Sequence, residues 1–130
     1  MESRMEVSEA LEKARNYEQT YVTEEVNAQK PSFHACAPIG WINDPNGFSL
    51  YKGEYHLFYQ YYPYEKKWGP MHWGHSVSKD LITWKELPAA MAPDKDYDHA
   101  GCFSGSALEY QGKHILLYTG VKEEKTEQGT

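Results

Sequence analysis

The feature that most narrows the folds open to this chain is a pair of hairpin-like segments set about 59 residues apart, a period long enough to count as a structural repeat. Tyr51 aligns with Tyr110, Gly53 with Gly112, Leu57 with Leu116 and Tyr59 with Tyr118. In the first copy, Gly47 to Tyr51 and Tyr55 to Tyr61 flank a Lys52-Gly53 turn; in the second, Ser104 to Glu109 and His114 to Thr119 flank Gln111-Gly112. A further hairpin-like unit between them runs from His72 to Ser78, turns at Lys79-Asp80 and returns through Thr83-Trp84-Lys85-Glu86. Repetition every several tens of residues is the habit of propeller blades, and it favours a β-propeller over a β-sandwich. A propeller closes with at least about four blades, and this chain holds about two, so it reads as part of a larger ring. The charged stretch Lys122 to Thr130 reads as a loop.

Ahead of the β-rich part, residues 1–30 have a different texture. Val7, Ala10, Leu11, Ala14, Tyr17, Tyr21 and Val22 fall on one stripe of an amphipathic helix running to about residue 29. Ser8 is positioned to cap it, Glu9 complements its positive end, and Pro31 closes the pattern. Nothing in this segment carries chemistry, and it is expected to pack as a helical extension on a body formed by residues 31–130.

Charge excludes several partners. With 13 Lys and Arg against 19 Asp and Glu, the net charge is −6, and there is no basic stripe to neutralise phosphates. Nucleic acid and anionic membranes are therefore excluded as expected partners. No apolar run is long enough to span a bilayer, and the first residues contain no apolar signal core, so a cytoplasmic protein is expected. In that compartment its two cysteines, Cys36 and Cys102, are expected to stay reduced. The eleven Tyr, four Trp and four Phe suit β-structure and also suit sugar rings, because each joins an apolar face to a polar edge.

Metal ligands are suggested and then excluded by spacing. His72 and His75 have no second Cys or His pair to complete a zinc set. Asp94, Asp96, Asp98 and His99 crowd together, but without the Gly at position 6 and the Glu at position 12 of a calcium loop. No metal and no cofactor are expected, and Asp94 to Asp98 reads as a solvated loop.

Asp44-Pro45-Asn46-Gly47 reads by itself as a type I turn, with Asp at the first position, Pro at the second and Gly at the fourth. Its setting says more. Trp41-Ile42-Asn43-Asp44-Pro45-Asn46-Gly47 is followed in order by Phe58-Tyr59-Gln60, by Trp68-Gly69-Pro70-Met71-His72-Trp73-Gly74-His75 with Ser78-Lys79-Asp80-Leu81-Ile82-Thr83-Trp84, and by Phe103-Ser104-Gly105-Ser106. These blocks resemble glycoside hydrolase family 32 over residues 31–121, and the initial helix most resembles the bacterial sucrose-6-phosphate hydrolases within it.

The resemblance implies an all-β fold, namely the first two or so blades of a five-bladed propeller behind an amino-terminal α-helix. It also implies hydrolysis of the β-fructofuranosidic bond of sucrose 6-phosphate or sucrose with retention, in which one carboxylate attacks the anomeric carbon and a second protonates the leaving oxygen. Asp44 matches the nucleophile, and backbone N–H groups of its turn are expected to keep the carboxylate ionised and aimed. Asn43 and Gln60 match positions that hydrogen-bond the fructosyl hydroxyls. Trp41 and Trp68 are the aromatic candidates for the sugar's C–H face, and Phe103 and Ser104 match a block lining the fructose pocket.

The family's acid/base Glu, in a Glu-Cys block, and its transition-state-stabilising Asp, in an Arg-Asp-Pro block, do not occur in these 130 residues. Family order puts both after Thr130, so this segment is expected to be inactive alone. A non-catalytic fructoside-binding module, and a fructan hydrolase or fructosyltransferase of the same family, remain alternatives.

Overall fold

The computed structural model describes residues 7–123. The part of the charged Lys122 to Thr130 stretch beyond residue 123, and residues 1–6 of the expected helix, lie outside them. Six strands follow two helices, and no helix among the described residues is long and apolar enough to cross a membrane.

The expected single helix is two. Helix α1 spans Glu9–Tyr21, and the Ser8 hydroxyl accepts the Leu11 N–H at 3.2 Å as the sequence predicts for its cap. Val22 then leaves helical geometry with ψ 94°, and Thr23 caps a short α2, Glu24–Ala28, by accepting the Val26 N–H at 3.3 Å. A hydroxyl offered to the backbone one turn ahead makes Thr23 a start signal inside what reads as one periodic stripe. The break turns the chain before it reaches the sheet.

Strands β1 (Trp41–Tyr51), β2 (Glu54–Tyr62), β3 (His72–Ser78) and β4 (Lys85–Met91) form one antiparallel sheet in sequence order. Strands β5 (Gly101–Tyr110) and β6 (Lys113–Val121) form a separate hairpin that packs its first strand beside β1. One complete four-stranded blade and the first half of another account for the two repeat units. The repeat survives in detail, since β6 begins and ends about 59 residues after β2. Both hairpins turn on two residues with positive φ, 48° and 77° at Lys52-Gly53 and 50° and 73° at Gln111-Gly112, which is the type I′ geometry that matches strand twist.

The β1–β2 ladder is interrupted twice. Ile42 pairs with Tyr61 and Pro45 with Tyr59; Asn46 pairs with Phe58 and Ser49 with His56. Each time β1 advances three residues while β2 advances two. Asp44-Pro45-Asn46-Gly47 is therefore not a β-turn but strand carrying two bulges. Its turn-like composition has a direct explanation: a bulge tolerates a proline's missing N–H and uses a glycine in the left-handed region, where Gly47 sits at φ 57°. β5 carries one extra residue between Phe103, paired with Thr119, and Gly105, paired with Tyr118.

The sheet is covered on both faces, which explains the unbroken burial of Phe58 to Tyr61 on β2. On one face Tyr59, Tyr61 and Ala89 pack against Ala14 of α1. On the other Phe58 and Trp73 meet Cys102, with Ala107, Leu116 and Tyr118 around them. Two polar side chains of α1 bracket one residue of β4: Arg15 Nε donates to the Ala89 carbonyl at 2.9 Å, and Glu18 Oε2 accepts the Ala89 N–H at 3.2 Å. Glu18 is buried by this docking, and desolvation raises its pKa above the usual carboxylate value.

Candidate active site

Asp44 stands at the first bulge of β1. Strand residues ordinarily alternate between buried and exposed, but here Asp44 and Pro45 are exposed in succession, because the extra residue slips the alternation by one. The bulge thus pushes a carboxylate out of the sheet beside a strand that is otherwise half-buried. Among the described residues, no side-chain hydrogen bond or ion pair engages Asp44, so the expected cradle of turn N–H groups is not formed.

The neighbours of Asp44 are held firmly. Trp41 Nε1 donates to Asn43 Oδ1 at 2.9 Å, which fixes the Asn43 amide with its NH2 group turned away from the indole. Gln60 lies on β2, 3% exposed, and its Nε2 donates to the Cys102 carbonyl at 3.0 Å. Its amide nitrogen is thus committed to the backbone of β5. Trp68, in the loop between β2 and β3, is 55% exposed and points an edge at the ring of Phe103, with centroids 6.4 Å apart and planes at 89°. Phe103 is half-buried, while Ser104 is exposed and its carbonyl accepts from Thr119 Oγ1 at 3.3 Å.

The predicted residues therefore fall into two groups. Trp41, Asn43 and Asp44 share β1; Trp68, Phe103 and Ser104 gather at the start of β5, with Gln60 bonded to the residue before Phe103. The strands that carry most of them, β1 and β5, lie side by side. A cavity of about 640 Å³ elsewhere, between α1, the end of β4 and β6, contains none of them. Its walls include Leu11, Met91, Leu116 and Tyr118, an apolar seam between the layers.

Two readings of the polar clusters change. Asp98 is not solvated but 1% exposed: Oδ1 accepts the N–H groups of Asp94 and Lys95 at 2.9 and 2.7 Å, and Oδ2 accepts the Tyr118 hydroxyl at 2.7 Å. The carboxylate closes its own loop and anchors it to β6, a role hidden in sequence by the surrounding charge run. His72 and His75 serve different partners. His72 Nδ1 lies 2.9 Å from the Pro70 carbonyl, whereas His75 Nε2 lies 2.8 Å from His56 Nδ1. Burial pushes both down to about 4, and His56 and His114 add to the shift at His75. His114 belongs to the same seam, with Nε2 2.8 Å from Ser49 Oγ and its ring stacked on Tyr51 at 4.6 Å. Among the described residues no group of three His, Cys, Asp or Glu is arranged to hold a metal ion.

Trp73 is the residue that sequence reasoning passes over. It is fully buried, and its Nε1 donates to the Phe103 carbonyl at 3.2 Å. In sequence it stands as one more aromatic of the His72-Trp73-Gly74-His75 block, with its hydrogen-bond partner 30 residues further on.

Comparison with known proteins bears on this arrangement. The model of the glycosyl hydrolases family 32 N-terminal domain matches residues 34–130. The chain is 57% identical over 90 residues to the sucrose-6-phosphate hydrolase of Zymomonas mobilis, covering 69% of this chain and 18% of that protein. It is 57% identical over 94 residues to the levanase of Bacillus subtilis, covering 72% of this chain and 13% of that one. A solved β-fructofuranosidase of Bombyx mori superposes with a TM-score of 0.74 at 44% identity, covering 88% of this chain and 25% of that chain, and a variant of it was solved with sucrose bound. The chain spans about a fifth or less of the length of these two curated relatives.

Proposed function

The chain belongs to glycosyl hydrolase family 32, and from that premise we propose that it is the first part of a retaining β-fructofuranosidase with Asp44 as nucleophile. Residues 1–30 are its helical extension, and residues 31–130 begin its propeller domain. The observation that carries the reading is the bulge of β1, which exposes the Asp44 carboxylate next to the braced Trp41–Asn43 pair and beside β5. An unencumbered, exposed carboxylate suits nucleophilic attack, because its lone pairs are not spent on internal hydrogen bonds.

In this mechanism Asp44 attacks the anomeric carbon of the fructosyl unit and forms an ester. A glutamic acid from beyond this segment protonates the departing oxygen and then activates water, at a carboxylate separation of about 5 to 5.5 Å. Asn43 and Gln60 bond the fructosyl hydroxyls, Gln60 through the oxygen that its contact with β5 leaves over. Trp41 and Trp68 offer apolar faces, and Phe103 with Ser104 closes the far side. No cofactor or metal enters the reaction. The substrate is sucrose 6-phosphate or sucrose, in keeping with the Zymomonas relative and the sucrose complex; the levanase keeps fructans as the second candidate. The acidic charge goes with a protein without nucleic-acid or anionic-membrane partners, and a cytoplasmic location is part of the same proposal.

The test uses the full-length enzyme of which this chain is the proposed beginning. Quenching turnover of a slow fructoside should leave one fructosyl mass on the peptide holding Asp44. Asp44→Ala should remove both that adduct and hydrolysis, and an Asp44→Ala enzyme that still hydrolyses sucrose would overturn the reading. Product analysis on sucrose, its 6-phosphate, levan and inulin then separates hydrolase from transferase and sugar from fructan. Fructoside binding without any hydrolysis by the wild type would favour a binding module.

A further inference from the structure

We propose that Trp73 is a positioning residue, which fixes Phe103 and Ser104 of β5 relative to Asp44 of β1 through the hydrogen bond from its indole to the Phe103 carbonyl. The proposal rests on the assignment of Asp44, Phe103 and Ser104 to the active site.

Three observations meet in this one ring. First, Gln60 and Trp73 are direct partners across β2 and β3, and their side chains donate to successive carbonyls of β5, those of Cys102 and Phe103. Both donors are buried, so the two bonds form a clamp shielded from water on the strand residues that lead into the bulge at Ser104. Second, the ring that makes one of these bonds also lies under β1. A Cβ on Gly47, three residues after Asp44, would stand 3.1 Å from Trp73 Cζ3. Third, the ring cannot shift alone, because Phe58 packs on it at 5.5 Å and Tyr118 meets it edge-on at 6.4 Å.

An indole is a rigid plate, so contacts at opposite ends of it are coupled. One end supports the bulged strand that presents Asp44; the nitrogen holds the strand that presents Phe103 and Ser104. Bulges lack the regular ladder that would fix their position, and a side-chain donor is an effective substitute. Gln60 alone holds only Cys102, one residue short of the bulge. Without the Trp73 N–H, the Phe103 carbonyl is freed to rotate, and the side chains that follow it move with respect to the nucleophile. A misplacement on the order of 1 Å is enough for a rate loss of about 10²-fold.

The decisive variant replaces the Trp73 indole, in the full-length enzyme, with its benzothiophene isostere, which keeps the shape and removes the N–H. Trp73→Phe serves as a second variant that loses area as well. The isostere is expected to lower kcat/KM for sucrose at least about tenfold, mainly through KM, with a thermal midpoint close to wild type. In a background with both Phe103→Ala and Ser104→Ala the same replacement should change kcat/KM by less than about threefold, because the side chains it acts through are gone. Unchanged kcat and KM in the folded isostere, or an undiminished effect in that double background, would overturn the proposal. Asp44→Ala in parallel separates the two levels: retained activity there removes the active-site assignment, whereas lost activity with an unaffected isostere removes only the role of Trp73.

Discussion

The hairpins β1–β2 and β5–β6 share a two-residue turn, nearly the same length and a bulge early in the first strand, yet they differ in what the bulge carries and in how they are covered. At the repeat offset Asp44 corresponds to Phe103. Both first strands leave apolar side chains exposed, Phe48 and Leu50 on β1 and Leu108 and Tyr110 on β5, but β2 has no exposed residue whereas β6 exposes Leu117. Backbone geometry is thus the repeated element, and side-chain chemistry is distributed over it. One bulge supplies a carboxylate and the other an aromatic wall.

The sharpest way to break that division of labour is to truncate both bulge residues in the full-length enzyme. Asp44→Ala, at the proposed nucleophile, should lower kcat on the order of 10⁴-fold or more. Phe103→Ala should cost on the order of tenfold, largely in KM, because it removes contact area without touching the reacting bond. Steady-state kinetics on sucrose decides, and similar losses at the two positions would erase the distinction.

Next come the glycines beside the bulges, read by thermal unfolding. A Cβ at Gly105 would lie 1.8 Å from the Leu117 carbonyl oxygen, a backbone atom that only separation of the hairpin can move. At Gly47 it would meet a Phe58 ring carbon at 2.8 Å, with a φ of 57° adding strain. Gly105→Ala should therefore destabilise more than Gly47→Ala, which is expected to cost about 1–3 kcal/mol.

Two histidines, His75 in the seam between the hairpins and His72 beside Pro70, give a smaller, graded effect. His72 and His75 are held neutral down to about 4, whereas the unfolded chain protonates them near 6.5. Above 6.5 neither state binds the proton, so stability is unaffected. Below it the unfolded chain gains protons that the folded protein refuses, and stability falls until about pH 4, where the folded state protonates too. The slope approaches about 1.4 kcal/mol per pH unit for each histidine. Denaturant unfolding between pH 7 and 4 measures it, and a His75→Asn variant should flatten the curve. A wild-type curve without this slope would mean that the seam is open to water.

Last are the turns themselves. A Cβ on Gly53 or Gly112 meets nothing within 4 Å, so only the positive φ opposes alanine. Gly53→Ala and Gly112→Ala should each destabilise by about 1 kcal/mol. Unequal losses would show that the two turns are not equivalent.

The repeat, the two turns and the Ser8 cap were legible in sequence because each depends on local chemistry: alternation, a glycine at positive φ, a hydroxyl before a helix. Asp44-Pro45-Asn46-Gly47 was legible as irregular backbone but not as a bulge. Turn and bulge use the same residues, and only pairing with β2 tells them apart. The burial of Asp98 and the clamp of Gln60 and Trp73 on β5 were hidden for a related reason. Each is decided by a partner far along the chain, tens of residues away for Asp98 and Tyr118 or for Trp73 and Phe103. Trp73 is core, and the partner of its nitrogen is what the proposed second task rests on.

The grip of Arg15 and Glu18 on Ala89 protects the molecule from its own kind. β4 is the last strand of its sheet, and a bare outer strand offers its amides to any other chain that can lie alongside. By occupying both amide groups of Ala89, α1 interrupts the row of free partners at its middle and fills the space a visiting strand would need. A chain stripped of this helix would leave that edge open as a template, and its characteristic failure would be sticking to copies of itself.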